Sequence, residues 1–174
     1  NILPNSGYNR YNFTFRNVTK FLKDKLTVDL SASYILQDNK NMIAAGKYFN
    51  PLPALYLFPR GDDFDNVRLY QRWDESRNLY TQAWDYGSGD MSFQNPYWIM
   101  NKMINQTKKR RYMLSANLKY DVTDWLDVTG RVKVDNADMD ITEKRYAGTD
   151  TNFAGEKGMY SIIKRNDRQI YACL

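Results

Sequence analysis

Carboxylates in the middle of the chain come closest to a reactive arrangement of side chains. Asp62, Asp63 and Asp65 form one cluster, and Asp74 and Glu75 form a second. Paired carboxylates are what the hydrolysis of a glycosidic bond requires. Arginines interleave with both clusters, and nearby cations favour the ionised form of a carboxylate over the protonated acid that catalysis needs. The clusters therefore predict solvated loop charge, and we do not expect an enzyme.

Composition limits the other chemistry that the chain can perform. It has no histidine, and Cys173 is its only cysteine, so no disulfide, thiolate zinc site or Cys–His pair can form within it. Residues 61–66 resemble a calcium loop only in part, because the glycine and the distal glutamate of such a loop are missing from their positions. We predict no catalytic residue, no metal site and no cofactor.

The net charge of +5 includes one dense basic run at 108–111. A basic surface is typical of proteins that bind anionic partners. This run is short and isolated, whereas nucleic-acid-binding domains spread their cations over a face or a groove. We therefore do not expect nucleic acid as a partner.

Five aromatic side chains in the long segment 38–109 are the candidate contact residues. Aromatic rings offer flat apolar faces on which a sugar ring or a partner surface can pack. Such rings can equally fill a small core within the segment, and a loop of this length is usually functional or folded on itself. Packing within the loop, contact with a partner and contact with a substrate stay open as alternatives for Trp73, Trp84, Tyr86, Tyr97 and Trp98.

Alternation of apolar and polar residues predicts the strands that position these groups. From Leu26 to Gln37 every even position is apolar, whereas five of the six odd positions are polar. A period of two indicates a strand with one apolar and one polar face. The sequence predicts an all-β fold of antiparallel strands, with strands near 8–22, 26–37, 110–122, 125–145 and 158–172.

The alternation changes after Val134, where the apolar residues move to Ala137, Met139 and Ile141. A β-bulge would produce such a change, and so would a strand that leaves its apolar surroundings. Carboxylates crowd positions 135–143, and we therefore favour the second interpretation.

Short and long connections alternate along the chain. Tight links at 23–25 and 123–125 contrast with the long loop 38–109 and a connection around 147–157. Outer-membrane barrels show this asymmetry, with short periplasmic turns and long extracellular loops. The apolar face of Leu26–Leu36 spans roughly 33 Å, which a strand tilt of about 40° reduces to the height of a barrel's apolar band, about 25 Å. These features predict part of a transmembrane β-barrel with one long extracellular loop.

Short motifs in the sequence resemble the early barrel region of SusC/RagA-type TonB-dependent transporters. The similarity extends from about Ser6 to about Tyr171. The motifs are Asn-Arg-Tyr-Asn-Phe-Thr (9–14), Asp-Lys-Leu (24–26), Asn-Pro-Leu-Pro (50–53), Phe-Pro-Arg (58–60), Asn-Pro-Tyr-Trp (95–98) and Leu-Lys-Tyr-Asp-Val-Thr-Asp-Trp-Leu-Asp-Val-Thr-Gly-Arg (118–131).

This resemblance implies a Gram-negative outer-membrane barrel of about 22 strands with a plug in its lumen. It also implies import of nutrients such as glycans or peptides, and contact with outer-membrane lipid. The partners implied are TonB and a SusD-type surface lipoprotein. Neither a plug nor a TonB box is found in the sequence, so we expect an internal fragment of such a transporter.

Two other interpretations stay open. One is a soluble β-sandwich that binds carbohydrate, and the other is a structural or adhesive surface protein. A sandwich would cover its apolar strand faces with a second sheet, whereas a barrel would present them to lipid. For a barrel, we expect one continuous and exposed apolar surface formed by Leu30, Ala32, Leu114, Leu118, Val128 and Val132.

Overall fold

The computed structural model of the chain describes residues 3–86 and 93–174. Long strands dominate the fold, and three short helices and a small hairpin lie between the second and third of them. The elements are β1 (Gly7–Phe21), β2 (Leu26–Lys40), α1 (Pro51–Tyr56), α2 (Asp65–Arg68), β3 (Gln71–Asp74), β4 (Leu79–Gln82), α3 (Pro96–Lys102), β5 (Met103–Thr123), β6 (Leu126–Arg145) and β7 (Met159–Cys173).

The five long strands form one sheet in the order β1-β2-β5-β6-β7. The chain is mostly antiparallel β-sheet, which confirms the predicted all-β class. The described strands leave this sheet open, with β1 and β7 at its edges. None of the helices in the described part of the chain is long and apolar enough to span a membrane.

The long connection is shorter than the predicted loop 38–109, and its described residues include three short helices and a hairpin. It covers 41–102, because β2 continues to Lys40 and β5 begins at Met103. The early part of β5 lacks a clear alternation of apolar and polar side chains. Its strand conformation is stabilised by backbone pairing instead, as where the amide of Asn41 donates to the carbonyl of Asn105 at 2.8 Å.

The two tight links meet at one end of the β2–β5 pair. Leu22, Lys23 and Asp24 adopt left-handed backbone angles, with φ between 54° and 67°. The amide of Asp121 donates to the carbonyl of Lys25 at 2.8 Å, which brings the end of β5 beside the start of β2. The link after β5 therefore lies at the same end as the link before β2, as the connection lengths predict.

The chain divides into two compact units. The strand unit contains Asn9–Asp38, Lys108–Asp140 and Lys164–Leu174, and the insertion unit contains Asn1–Tyr8, Asn39–Thr107 and Ile141–Ile163. The insertion unit has its own hydrophobic core. The buried centre of this core is Trp98, Ile99, Met100 and Met103, with Leu3, Phe49, Tyr70 and Phe153 packed around it.

Candidate functional site

Charged pairs cross between neighbouring strands on one face of the strand unit. Arg16 on β1 makes two hydrogen bonds to Asp29 on β2, of 3.0 and 2.9 Å. Arg111 on β5 does the same with Asp135 on β6, at 2.8 and 2.5 Å. Two parallel N–H···O bonds between a guanidinium and a carboxylate fix the relative position of the side chains and of the strands that carry them.

Neutral polar groups continue this polar face between the charged pairs. The hydroxyls of Ser31 and Ser115 lie 2.7 Å apart, and Arg131 donates to the side-chain oxygen of Asn117 at 2.9 Å. With Lys133, these residues line an open depression of about 490 Å³. The face is therefore hydrogen-bonded across β2, β5 and β6, and it is suited to contact with water or with a polar partner.

The opposite face of the strand unit is apolar and exposed. Phe13 and Phe15 on β1 are about 60% exposed. Along the next strands, the exposed fractions lie between 42% and 48% for Leu30, Leu114, Leu118, Val128 and Val132. A shallow apolar groove joins three strands, since Ala32, Leu114 and Val132 line it together. The expectation of one exposed apolar surface is confirmed for these residues.

The apolar face ends where polar side chains take over the same strand positions. Asn136 and Asp138 point to one side of β6, because the Asn136 amide donates to the Asp138 carboxylate at 3.4 Å. Asn166 on β7 donates to both, at 3.2 and 2.5 Å. Arg110 on β5 pairs with Asp140 at 3.3 Å. The even positions of β6 thus stay on one face beyond Val134, which favours a strand leaving its apolar surroundings over a bulge.

Two of the five candidate aromatics lie on α3, which Asn95 caps. The Asn95 side-chain oxygen accepts from the amides of Tyr97 and Trp98, at 2.8 and 3.4 Å. Its amide group donates to the carbonyls of Val67 and Ala83, at 2.9 and 3.0 Å. One buried side chain therefore ties three segments of the insertion unit together.

Trp98 is a core residue of the insertion unit. It is 1% exposed, and its indole N–H donates to the hydroxyl of Thr149 at 3.1 Å. Its ring therefore packs within the protein, and it is not accessible to a partner or a substrate. Tyr97, the residue before it, is partly exposed.

Trp84 and Tyr86 belong to a separate aromatic cluster. The Tyr86 ring lies 5.0 Å from the rings of both Trp84 and Phe58, and Phe58 lies 5.5 Å from Phe64, all in edge-to-face contacts. Desolvation and the neighbouring Asp62 carboxylate raise the pKa of the Tyr86 hydroxyl. These rings pack largely on one another, which fits packing within the loop.

Trp73 is the candidate with the most accessible ring. It is 50% exposed on β3 and makes an edge-to-face contact of 5.1 Å with Tyr80, its partner on β4. The turn of this hairpin is held by Asp74, whose carboxylate accepts from the hydroxyl and amide of Ser76 and from the amide of Arg77. These hydrogen bonds, that of the Ser76 hydroxyl first, lower the pKa of Asp74.

The aspartates of the first carboxylate cluster are surface groups. Asp62, Asp63 and Asp65 are exposed, and the Asp63 carboxylate accepts from the amide of Asp65 at 2.9 Å. Asp65 also pairs with Arg68 at 3.4 Å. In the described ranges, no group of three or more His, Cys, Asp or Glu residues is arranged to hold a metal ion.

A cavity of about 240 Å³ in the insertion unit was not predicted. Its lining is mostly apolar, with Met100 and Met103 among the lining residues. Arg145 also lines it, lies 4.5 Å from the Phe49 ring, and donates to the carbonyl of Phe153 at 2.6 Å. The polar groups of Arg145 are thus engaged by the protein itself.

Two of the helices in the insertion unit begin at a local sequence signal. Asn50-Pro51 and Asn95-Pro96 each combine an N-cap residue with a proline at the first helical position. Both pairs lie within the motifs at 50–53 and 95–98. Their capping pattern predicts two helix starts.

Together, the fold and its two surfaces define an all-β protein built on an amphipathic antiparallel sheet, with a separate aromatic-rich insertion unit. No protein-family model matches the sequence, and no curated protein matches it.

Proposed function

We propose that the chain is a segment of a transmembrane β-barrel, with the apolar face of the strand unit against lipid and the polar face towards a hydrated interior. The observation that carries the proposal is the exposed apolar face. Large apolar side chains are exposed on three neighbouring strands, with Phe15 on β1 63% exposed, Leu30 on β2 45% and Leu118 on β5 48%. Soluble monomers rarely tolerate a continuous apolar patch of more than a few hundred Å².

The polar face supports the same assignment. The pairs Arg16–Asp29 and Arg111–Asp135 lie on the side of the sheet away from the apolar residues. Charges are costly against lipid and are tolerated where they face water or other polar groups. Alternation of this kind along every strand is how barrel strands separate lipid from a polar lumen.

More specifically, we propose a SusC/RagA-type TonB-dependent transporter of the Gram-negative outer membrane as the parent protein. It would import nutrients such as glycans or peptides, with TonB and a SusD-type lipoprotein as partners. The motifs at 9–14, 95–98 and 118–131 support this proposal, and so does the alternation of tight links with long connections. Trp73 and Tyr97 are the candidate aromatics best suited to contact a partner or substrate, because Trp98 is buried and Trp84 and Tyr86 pack on each other.

A cysteine scan along β5 tests the membrane assignment. In a Cys173→Ser background, single cysteines at successive positions from Tyr112 to Val122 are reacted with a water-soluble maleimide, in phosphatidylcholine vesicles. We expect slow labelling at even positions such as Leu114 and Leu118, and fast labelling at odd positions such as Ser115. Equal labelling at odd and even positions would contradict a lipid-facing surface.

Size measurements without detergent or lipid complete the test. We expect the chain to associate, because its edge strands present unpaired backbone groups and its apolar face is open. A monodisperse monomer with a cooperative thermal transition would overturn the barrel proposal. That result would favour the soluble carbohydrate-binding β-sandwich.

A further inference from the structure

Cations occupy the apolar side of the strand unit just beyond the end of the apolar residues. Arg110 lies on this side, since it pairs with Asp140, and Lys108 shares its face at a spacing of two residues. On β7, Asn166 lies on this side because it bonds Asn136 and Asp138. Lys164 and Arg168 lie two residues before and after Asn166 on β7, so they share its face. We call Lys108, Arg110, Lys164 and Arg168 the cationic border.

Positive charge is in excess at this border. The four cations share their face with three carboxylates, Asp38, Asp138 and Asp140. Asp140 pairs with Arg110 at 3.3 Å, while the Asp138 carboxylate accepts from the neutral amides of Asn136 and Asn166. Lys108, Lys164 and Arg168 are exposed, and none of them forms an ion pair within 3–86 and 93–174.

The border follows directly on the apolar residues of the same strands. Tyr112 and Leu114 succeed Arg110 on β5, and Ile170 succeeds Arg168 on β7; all three are exposed. Long cationic side chains can lay their methylene stems along an apolar surface while the charged head extends to a polar layer. The border is thus placed where a lipid's acyl chains would give way to its headgroup.

We propose that the cationic border binds the phosphates of anionic lipid headgroups in the leaflet at the end of the strands away from the tight links. This inference rests on the proposed function, because it requires lipid against the apolar face. Charge complementarity and continuity with that face favour a headgroup over a soluble anion. A phosphate accepts charge-assisted hydrogen bonds from arginine and lysine, and each basic residue near an anionic surface strengthens binding severalfold.

Binding of the full chain to two kinds of vesicle tests the inference. One kind is phosphatidylcholine alone, and the other is an equimolar mixture of phosphatidylcholine and phosphatidylglycerol. Co-flotation gives a partition coefficient for each. We expect binding to both, with a preference for the anionic vesicles that falls at least about tenfold in the triple variant K108Q/K164Q/R168Q.

A matched control separates the border from the overall charge of the chain. K109Q/K133Q/R165Q removes three cations at odd positions of β5, β6 and β7, which lie on the polar face of the sheet. It therefore lowers the net charge by the same amount as the triple variant of the border. We expect this control to keep the anionic preference. The variant K108R/K164R/R168K keeps the charges of the border and should keep the preference too. Circular dichroism of each variant checks that the strand content is unchanged.

The possible results separate this inference from the proposed function. Equal losses in the two neutralised variants would show general attraction by charge and would overturn the inference. An anionic preference that survives in K108Q/K164Q/R168Q would overturn it as well. Binding to phosphatidylcholine with no anionic preference would overturn the inference alone. An absence of binding to either vesicle would overturn the proposed function and the inference together.

Discussion

Replacement of Leu118 by arginine should destabilise the chain in a membrane far more than in water. Leu118 lies on the apolar face of β5 and is 48% exposed in the sheet. On that face it is the next residue after Ala116, which lies midway between Tyr112 and Tyr120. In the proposed barrel its exposed half contacts acyl chains near the middle of the apolar band.

The expected magnitude follows from two contributions. Full burial of a leucine side chain is worth about 1.5–3 kcal/mol, so the exposed half contributes about 1 kcal/mol when lipid covers it. An arginine facing lipid near the midplane costs about 2–4 kcal/mol. Leu118→Arg should therefore lower the free energy of unfolding in vesicles by about 3–5 kcal/mol. On a water-exposed surface, the same change would stay within about 0.5 kcal/mol.

Urea unfolding of the chain refolded into phosphatidylcholine vesicles measures this difference. Thr129→Arg is the matched control, because Thr129 is exposed and lies at the strand parity of Arg131 on the polar face. We expect Thr129→Arg to change the free energy of unfolding by less than about 1 kcal/mol. Equal effects of the two arginines, or a negligible effect of Leu118→Arg, would refute the assignment of the apolar face to lipid.

Three further predictions concern the insertion unit. Asn95→Ala should cost about 3 kcal/mol in urea unfolding of the full chain, since it removes a helix cap and the amide that donates to the carbonyls of Val67 and Ala83; Asn95→Asp retains the capping oxygen and should cost less, and an equal cost for both would show that the cap contributes nothing. Gly148→Ala should destabilise this unit, because Gly148 has φ +95° and a Cβ there would overlap the carbonyl of Tyr80; thermal unfolding checks this, and an unchanged midpoint would contradict it. Asp74 has a lowered pKa, so its stabilisation of the hairpin is fully present above its unfolded pKa and lost as pH falls through the lower folded value; the NMR signals of Trp73 should shift over that acidic range in the native chain and not in Asp74→Asn.

The strand unit could be predicted from the sequence because it follows one rule. Alternate residues of a strand point to opposite faces, so the even positions from Leu26 to Leu36 share a surface whatever the rest of the chain does. The hydrogen bond between Ser31 and Ser115 places these residues side by side on the polar face. The alternation on both strands predicts the face on which each serine lies, whereas the register that pairs them depends on the contact between two strands far apart in the sequence and was not predicted.

The insertion unit could not be predicted in the same way. Its core depends on contacts between distant segments, such as the Trp98 indole with Thr149 and the Asn95 amide with the carbonyls of Val67 and Ala83. No local periodicity specifies such contacts. The sequence therefore identified the aromatic residues of the loop but not which of them are buried, and only the Asn-Pro pairs offered a local signal for its helices.

The position at which the apolar face gives way to charged residues shifts from one strand to the next. This shift, or step, bears on the barrel proposal. The pairings of Ser31 with Ser115 and of Lys25 with Asp121 place Tyr34 opposite Tyr112, and Leu36 opposite Arg110. The apolar face thus reaches one pair further on β2 than on β5. A flat apolar band crosses tilted strands at a different position on each, and barrel strands tilt by roughly 35–45°. Strands perpendicular to the band would end their apolar faces at the same pair, so the step is the pattern expected of tilted strands in the proposed barrel.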